Sequence, residues 1–356
     1  MEFRNLVDSM NSHFDGGLPF VVYAFPKSNT LNGSFQKDPE TYTTEDFSEG
    51  GFVFAPFSKD EILVIPDSKS TQISFEWEGE EEERISVHPR AKLADHSAYL
   101  NLVGKALEAI RQKGTAKIVT SRTVPLPLDS LDIAVLTKRL FSLYPSAFRY
   151  IWFHPKSGWW AGATPEVLLT VENKAFRTMS LAGTQTYVPG EPPNWTSKEI
   201  EEQQWVTDDI AKRLQNVASI VKVSKTKNHR AGSLVHLRTD FTGVLTKSGS
   251  GLAKVVKKLH PTPAVCGVPR EVAHNFILNE EGYDREYYTG FLGPVADTMN
   301  FAHLFVNLRS MKISEDTAHL YVGGGVTEDS VPEKEWEETQ NKMQTMLQVL
   351  APMLSQ

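Results

Sequence analysis

Glu335, Glu338 and Lys342 are spaced three and four residues apart in the segment SVPEKEWEETQNK, Ser330 to Lys342. On a 3.6-residue helix such spacings stack side chains along one face, so two carboxylates and an ammonium project into one small volume. Met343, Met346, Leu347, Leu350 and Met353 follow at helical spacing. The second half of this helix should therefore dock on a core while its first half faces something polar. Ser330 with Glu333 fits a capping box and predicts where the helix begins, and Gly323, Gly324 and Gly325 come just before it. A carboxylate pair beside exposed backbone suits a hard cation holding an anionic ligand. The same pattern also suits an exposed helix with a ladder of ion pairs, and this segment alone leaves both readings open.

Other elements must position that face. Apolar alternation predicts strands at 20–25, 51–56 and 61–66, then a helix over about 94–113 and a strand at 117–124. A helix near 129–144 precedes strands at 148–154, 158–162, 167–171 and 175–183 and a long amphipathic helix at 197–217. Strands at 234–245, 287–295, 302–312 and 319–323 are separated by helices near 252–259 and 270–279. Successive strands with tight Gly and Pro turns predict an α+β fold of large, mostly antiparallel sheets in a layered core covered by helices. No internal repeat or flexible linker divides the chain, which reads as one domain over 1–356.

Composition sets outer bounds. The 356 residues, 40% hydrophobic and 23% charged with 19 Phe, supply ample material for a core. A net charge of -7 opposes a nucleic-acid partner, because phosphate contacts need a basic surface. The basic run 222–230 reads as an exposed turn and the acidic run 80–83 as a solvated loop between strands. Cys266 is the single cysteine, so an intrachain disulfide and a cysteine-built metal centre are excluded. The N-terminus lacks the apolar core of a signal peptide, and no apolar stretch approaches the ~20 residues that span a bilayer. The expectation is a cytoplasmic protein with no membrane partner.

Neither GxGxxG, P-loop, HExxH nor GxSxG occurs, which removes the common nucleotide, zinc-protease and hydrolase motifs. Instead, five short segments carry polar residues or glycines at strand ends: KIVTSR at Lys117, GATPEVLL at Gly162, LAGTQ at Leu181, VHLRT at Val235 and LHPTPAVCGVPR at Leu259. In this order, and with the closing GGGVTEDSVPEKEWEETQNK, the chain resembles the chorismate-utilising enzymes, the family of isochorismate synthase, salicylate synthase and the large subunit of anthranilate synthase. The resemblance runs from about Lys105 to the C-terminus, while the first ninety residues match loosely.

The resemblance implies chorismate as substrate and the same fold class. It is strongest to isochorismate synthases, isomerases that add water at ring carbon 2 and expel the 4-hydroxyl. Lys117 matches the family's base, which requires a pKa brought down toward neutrality. Glu166 matches the general acid, which requires a carboxyl kept protonated by partial burial. Glu202, Glu335 and Glu338 match a magnesium site, and Gln203 stands where the family often has histidine, so that Glu201 competes with Glu202 for the ligand register. Arg309, Tyr288 and Lys342, with backbone donors at Gly323 and Gly325, match the positions that meet the enolpyruvyl carboxylate. Gly183, Thr184 and His236 match pocket-lining positions, Gly183 allowing close backbone approach.

Ala264 bears on the product. Family members that go on to eliminate pyruvate, or that use ammonia, tend to carry a hydroxyl residue there, so alanine favours stopping at isochorismate over salicylate. Lys117 in place of glutamine opposes anthranilate synthase, and no glutamine amidotransferase subunit is expected. A monomer is expected. A chorismate-binding protein without catalysis is the alternative of another class, and it gives no reason to keep both Lys117 and Glu166. The product could feed menaquinone or siderophore synthesis.

Overall fold

The protein is described by a computed structural model covering residues 2–355 apart from 59–60, 86, 88–92, 114, 216, 232–233, 246–250 and 297–300. A helix, α1 (Phe3–Asp15), precedes β1 (Phe20–Ala24), β2 (Thr30–Gln36), β3 (Tyr42–Thr44), β4 (Gly51–Ala55), β5 (Ile62–Pro66) and β6 (Ser70–Glu76). Then come α2 (Leu93–Lys113), β7 (Lys117–Pro127), α3 (Ile133–Leu143), β8 (Phe148–His154), β9 (Gly158–Thr164), β10 (Val167–Glu172), β11 (Ala175–Thr186) and α4 (Ser197–Leu214). The strands β12 (Ala218–Val223), β13 (Lys227–Ala231) and β14 (Leu234–Leu245) lead to α5 (Gly251–Leu259), β15 (Gly267–Val268) and α6 (Arg270–Glu280). The chain closes with β16 (Phe291–Val295), β17 (Phe301–Val306), β18 (Ser310–Ser314), β19 (Thr317–Val326) and α7 (Pro332–Leu350).

Two antiparallel sheets result. One has the order β15-β7-β19-β18-β9-β8-β1-β2-β6; the other has β12-β14-β11-β10-β17-β16-β4-β5-β3, with β13 also paired to β14. The alternation of β8 shows why they stack. Phe148, Tyr150 and Trp152 point into a layer shared with Phe52, Phe54, Leu292 and Phe305 of the other sheet. Ile151 and Phe153 point the other way, into a core with residues of α1, α3 and α7. On the far face of the second sheet, α4 and α5 bury Val206, Ile210, Leu252 and Val255. The architecture is helices, sheet, sheet, helices, and each buried aromatic of the middle layer contributes on the order of 1.5–3 kcal/mol through removal from water. The expected α+β class of layered antiparallel sheets is therefore found. Among the described residues no helix is long and apolar enough to cross a membrane.

Several local expectations are corrected. The first ninety residues hold α1, β2, β3 and β6 besides the three strands read from sequence, and β1 to β6 complete both sheets. The run 302–312 is two strands in different sheets, β17 and β18, because the chain changes sheet at Asn307 to Arg309. Buried Asn307 holds that crossing: its amide donates to the Tyr287 carbonyl at 2.8 Å and accepts from Tyr150 Oη at 2.7 Å. Arg309 takes φ +49° there. The capping box at Ser330 is absent, since α7 starts at Pro332 and Ser330 Oγ instead accepts from the Thr327 amide at 3.1 Å. Within the basic run, 227–231 is strand β13 rather than a turn. The acidic run lies between β6 and α2 and pairs with α3, Arg139 meeting Glu82 at 2.6 Å.

Candidate active site

The glycines of β19 run beside β7 with Gly323 opposite Ser121, Gly324 opposite Thr120 and Gly325 opposite Val119. Missing side chains there make room for charged ones. A Cβ added to Gly325 would stand 2.6 Å from Lys117 Cε, and one added to Gly324 would stand 3.0 Å from Glu335 Oε2 and 3.9 Å from Glu338 Cδ. Alanine at either position would invade the cluster, so the glycine run is a cradle for these groups.

Lys117, the first residue of β7, is 6% exposed and donates from Nζ to Glu202 Oε1 at 2.8 Å. Burial pulls its pKa down, but Glu202, Glu338 and Glu166 together hold it above the ordinary lysine range. The expected lowering toward neutrality is thus not found in this arrangement, because three carboxylates stabilise the ammonium more than burial penalises it.

The helix α4 delivers Glu202. Its start carries a capping box from Thr196 and Glu199, and its rotation is set by buried Gln203, whose amide donates to Ser180 Oγ at 2.8 Å and Thr239 Oγ1 at 3.1 Å. With Gln203 facing the sheet, Glu202 reaches Lys117 while Glu201 stays exposed. Of the two adjacent glutamates, Glu202 is the one that faces the Lys117 cluster. Gly183 sits at φ +66° where the β11–β14 register shifts, and a Cβ there would stand 3.1 Å from Glu199 Cβ. The close approach it permits is that of α4. Thr184 pairs with His236 across the strands, and the Thr184 side chain lies outside the described residues. Half-buried His236 shares a 3.2 Å hydrogen bond between Nδ1 and the Gly183 carbonyl, and burial lowers its pKa.

On α7, Glu338 pairs with Lys342, whose Nζ also donates to the Gly323 carbonyl at 2.8 Å. Burial opposes ionisation of Glu338, yet Lys342, Lys117 and Arg309 hold its pKa below the usual carboxylate range. Glu166 behaves oppositely. Lodged between β9 and β10 after Pro165, it is pushed up to about 7 by burial against the pull of Lys117, Lys342 and Arg309. Arg309 is half-buried and has no hydrogen-bonded or ion-paired side-chain partner among the described residues; burial lowers its pKa against the opposing pull of Tyr288, Glu338 and Glu166. Tyr288 is buried, with its hydroxyl 3.2 Å from where a Cβ on Gly323 would stand, and burial pushes its pKa up to about 12. Half-buried Ala264 lies in the turn before β15, which pairs Val268 with Lys117.

The donor chemistry of Glu335 and Glu338, oxygen only and gathered over the Gly324 cradle, fits a hard divalent cation. Glu202 is tied to Lys117, and among the described residues no three acidic or imidazole groups already converge on one point. Sequence reasoning missed three supports. Tyr99 of α2 shares a 3.2 Å hydrogen bond with Thr120 beneath the cradle. Gln203 clamps α4. A buried Glu281–Arg285 pair braces β7. The i,i+4 spacing of that last pair was the one signal available.

The family model described as a chorismate binding enzyme matches residues 60–351. The isochorismate synthase MenF of Escherichia coli strain K12 is 30% identical over 267 residues, 72% of this chain and 61% of that protein, so the chain spans less than two thirds of this relative. MenF of Bacillus subtilis strain 168, also an isochorismate synthase, is 27% identical over 348 residues, 95% of this chain and 70% of that protein. Among solved structures, that of E. coli MenF superposes with a TM-score of 0.78 at 23% identity, over 93% of this chain and 88% of that one. Anthranilate synthase component I of Streptococcus pneumoniae TIGR4 superposes with a TM-score of 0.67 at 17% identity, over 92% and 90%. At those identities the structures speak for the fold alone. A family match over 60–351, far more than half of the chain, makes this protein a member of the chorismate-binding enzymes.

Proposed function

We propose that the protein is an isochorismate synthase, a metal-dependent isomerase that adds water to ring carbon 2 of chorismate and expels the 4-hydroxyl, reversibly. The observation that carries this reading is Glu166, a carboxyl pushed up to about 7 while facing Lys117, Lys342 and Arg309. A group poised there can hold a proton near neutral pH and deliver it to a leaving hydroxyl, whereas a purely binding site has no need of it. On the opposite side of the balance, the incoming water loses a proton, and Lys117 is the candidate acceptor. Tied to Glu202 as an ammonium, it serves as base only after that pair opens and its own proton leaves. Arg309 offers a planar fork to one substrate carboxylate, with Lys342 adding charge and Tyr288 a hydroxyl. Magnesium held by Glu335 and Glu338, joined by Glu202, would neutralise the other carboxylate. His236, Gly183 and Thr184 are assigned to the pocket wall.

Ala264 supports isochorismate as the end product, because a methyl group cannot hydrogen-bond the enolpyruvyl arm and so gives no help in orienting it for elimination. Incubation with chorismate and magnesium near neutral pH, with products resolved by chromatography and mass detection, should give a chorismate and isochorismate mixture from either side. Chelation should stop the reaction and added magnesium restore it. Salicylate and pyruvate formed in equal amounts, faster than isochorismate decays alone, would replace this reading with a salicylate synthase. Lys117→Ala should lower turnover by ~10²-fold or more, the usual size of a lost base; near-normal turnover removes Lys117 from that role.

A further inference from the structure

Arg285 is 2% exposed and sits in no helix or strand, in the turn between α6 and β16. All five of its N–H groups have acceptors. Nε and one Nη2 hydrogen go to the two oxygens of Glu281, the other Nη2 hydrogen to the Val119 carbonyl at 2.8 Å, and Nη1 to the Val265 carbonyl at 2.9 Å and Thr289 Oγ1 at 3.2 Å. Glu281 in turn accepts from the Ser121 amide at 2.8 Å and Ser121 Oγ at 2.9 Å. The Arg285 carbonyl accepts from the Tyr288 amide at 2.8 Å.

These bonds tie together three segments that are far apart in sequence. Val119 and Ser121 lie on β7, two and four residues beyond Lys117; Val265 follows Ala264; Tyr288 is bonded directly through its backbone. We infer that the Glu281–Arg285 pair is a positioning device that fixes Lys117, Ala264 and Tyr288 relative to one another. The pair itself touches no reacting atom. A buried ion pair gives little net stability over apolar packing, so its complete set of directed bonds is better explained by geometry than by stability. Only a planar fork can meet three segments at once, and a lysine of equal charge cannot.

The inference rests on the proposed roles of Lys117, Ala264 and Tyr288, and its test separates the two. Arg285→Lys keeps the charge opposite Glu281 and removes the fork. Per folded molecule, measured well below the variant's melting temperature, turnover of chorismate should fall about 30-fold with KM changed less than threefold, as expected when a reacting group is misplaced by about 1 Å. Crystal structures of the wild type and the variant should show Lys117 displaced from Glu202 by a comparable distance. A wild type that leaves chorismate unchanged refutes the proposed function, and the two crystal structures still decide the brace. Lys117 in an unchanged place, or an active wild type whose variant keeps turnover within twofold per folded molecule, overturns the inference. Should Arg285→Lys fail to fold, Ser121→Ala decides: it leaves the ion pair intact and removes the hydroxyl bond from β7 to Glu281, one of the two that Ser121 makes. About fivefold lower turnover at an unaltered melting temperature supports the brace, and unaltered turnover overturns it.

Discussion

Two clusters of buried charge lie along β7, and they are finished differently. At Val119 and Ser121 the strand meets Glu281 and Arg285, where every guanidinium donor has an acceptor. At Lys117 it meets a cluster in which Arg309 lacks a hydrogen-bonded side-chain partner among the described residues and Glu166 is pushed up to about 7. The same residue types therefore serve two ends. Ionic groups that close on each other fix a shape, while groups left with unused donors and a shifted pKa are prepared for something that arrives. The Gly323 to Gly325 run marks the open cluster, since it leaves volume where side chains would otherwise fill it.

The largest test of that contrast is Glu166→Gln, which keeps the shape and removes the proton. Turnover should fall by ~10²-fold or more, and full activity would make another group the acid. Its pH dependence sharpens the point. With Glu166 at about 7, turnover of the wild type should decline as pH rises through about 7, and this limb should vanish in the Gln variant, as read from a turnover against pH profile. The sign for stability is the same: the folded state holds this proton more tightly than the unfolded chain, so the contribution is present at low pH and lost as pH rises through about 7.

Arg309→Lys should have a smaller effect, raising KM about 10-fold with turnover changed less, because charge survives while the fork is lost. An equal fall in turnover at constant KM would show instead that Arg309 acts in the transition state. The smallest effect expected lies outside both clusters. Burial holds His154 and His260 down to about 4, so the unfolded chain takes up protons that the folded protein refuses as pH falls from about 6.5 toward 4. The urea midpoint should decrease through that window. A midpoint that stays flat would mean that these rings are neutral in neither state's favour.

Much of this was legible in one sequence because the signals were local. Period-two runs located β8 and β14 to the residue, and the 3.6-residue spacing put Glu335, Glu338 and Lys342 on one helix face. The resemblance to the chorismate-utilising enzymes, carried by the order of short motifs along the chain, named Lys117, Glu166 and Arg309. The run 302–312 was misread because an apolar stretch looks the same whether it stays in one sheet or crosses to another; only buried Asn307 marked the crossing. Likewise Ser330 and Glu333 have the residue types of a capping box, but Pro332 begins the helix and Glu333 pairs with His96 at 2.9 Å.

The sequence by itself determined most of the elements, the layered α+β class and the identities of the charged groups, since propensity, alternation and residue chemistry are properties of neighbouring residues. Tertiary structure alone decided which groups meet and in what state. Glu202 rather than Glu201 reaches Lys117 because Gln203 turns α4 against Ser180 and Thr239. Lys117 is held as an ammonium, and Glu166 is raised, because each feels the sum of burial and of charges brought from β7, α4, α7 and the Arg309 crossing. Such sums depend on distances between residues more than a hundred positions apart in the chain, as with Lys117 and Glu338, and no local pattern encodes them.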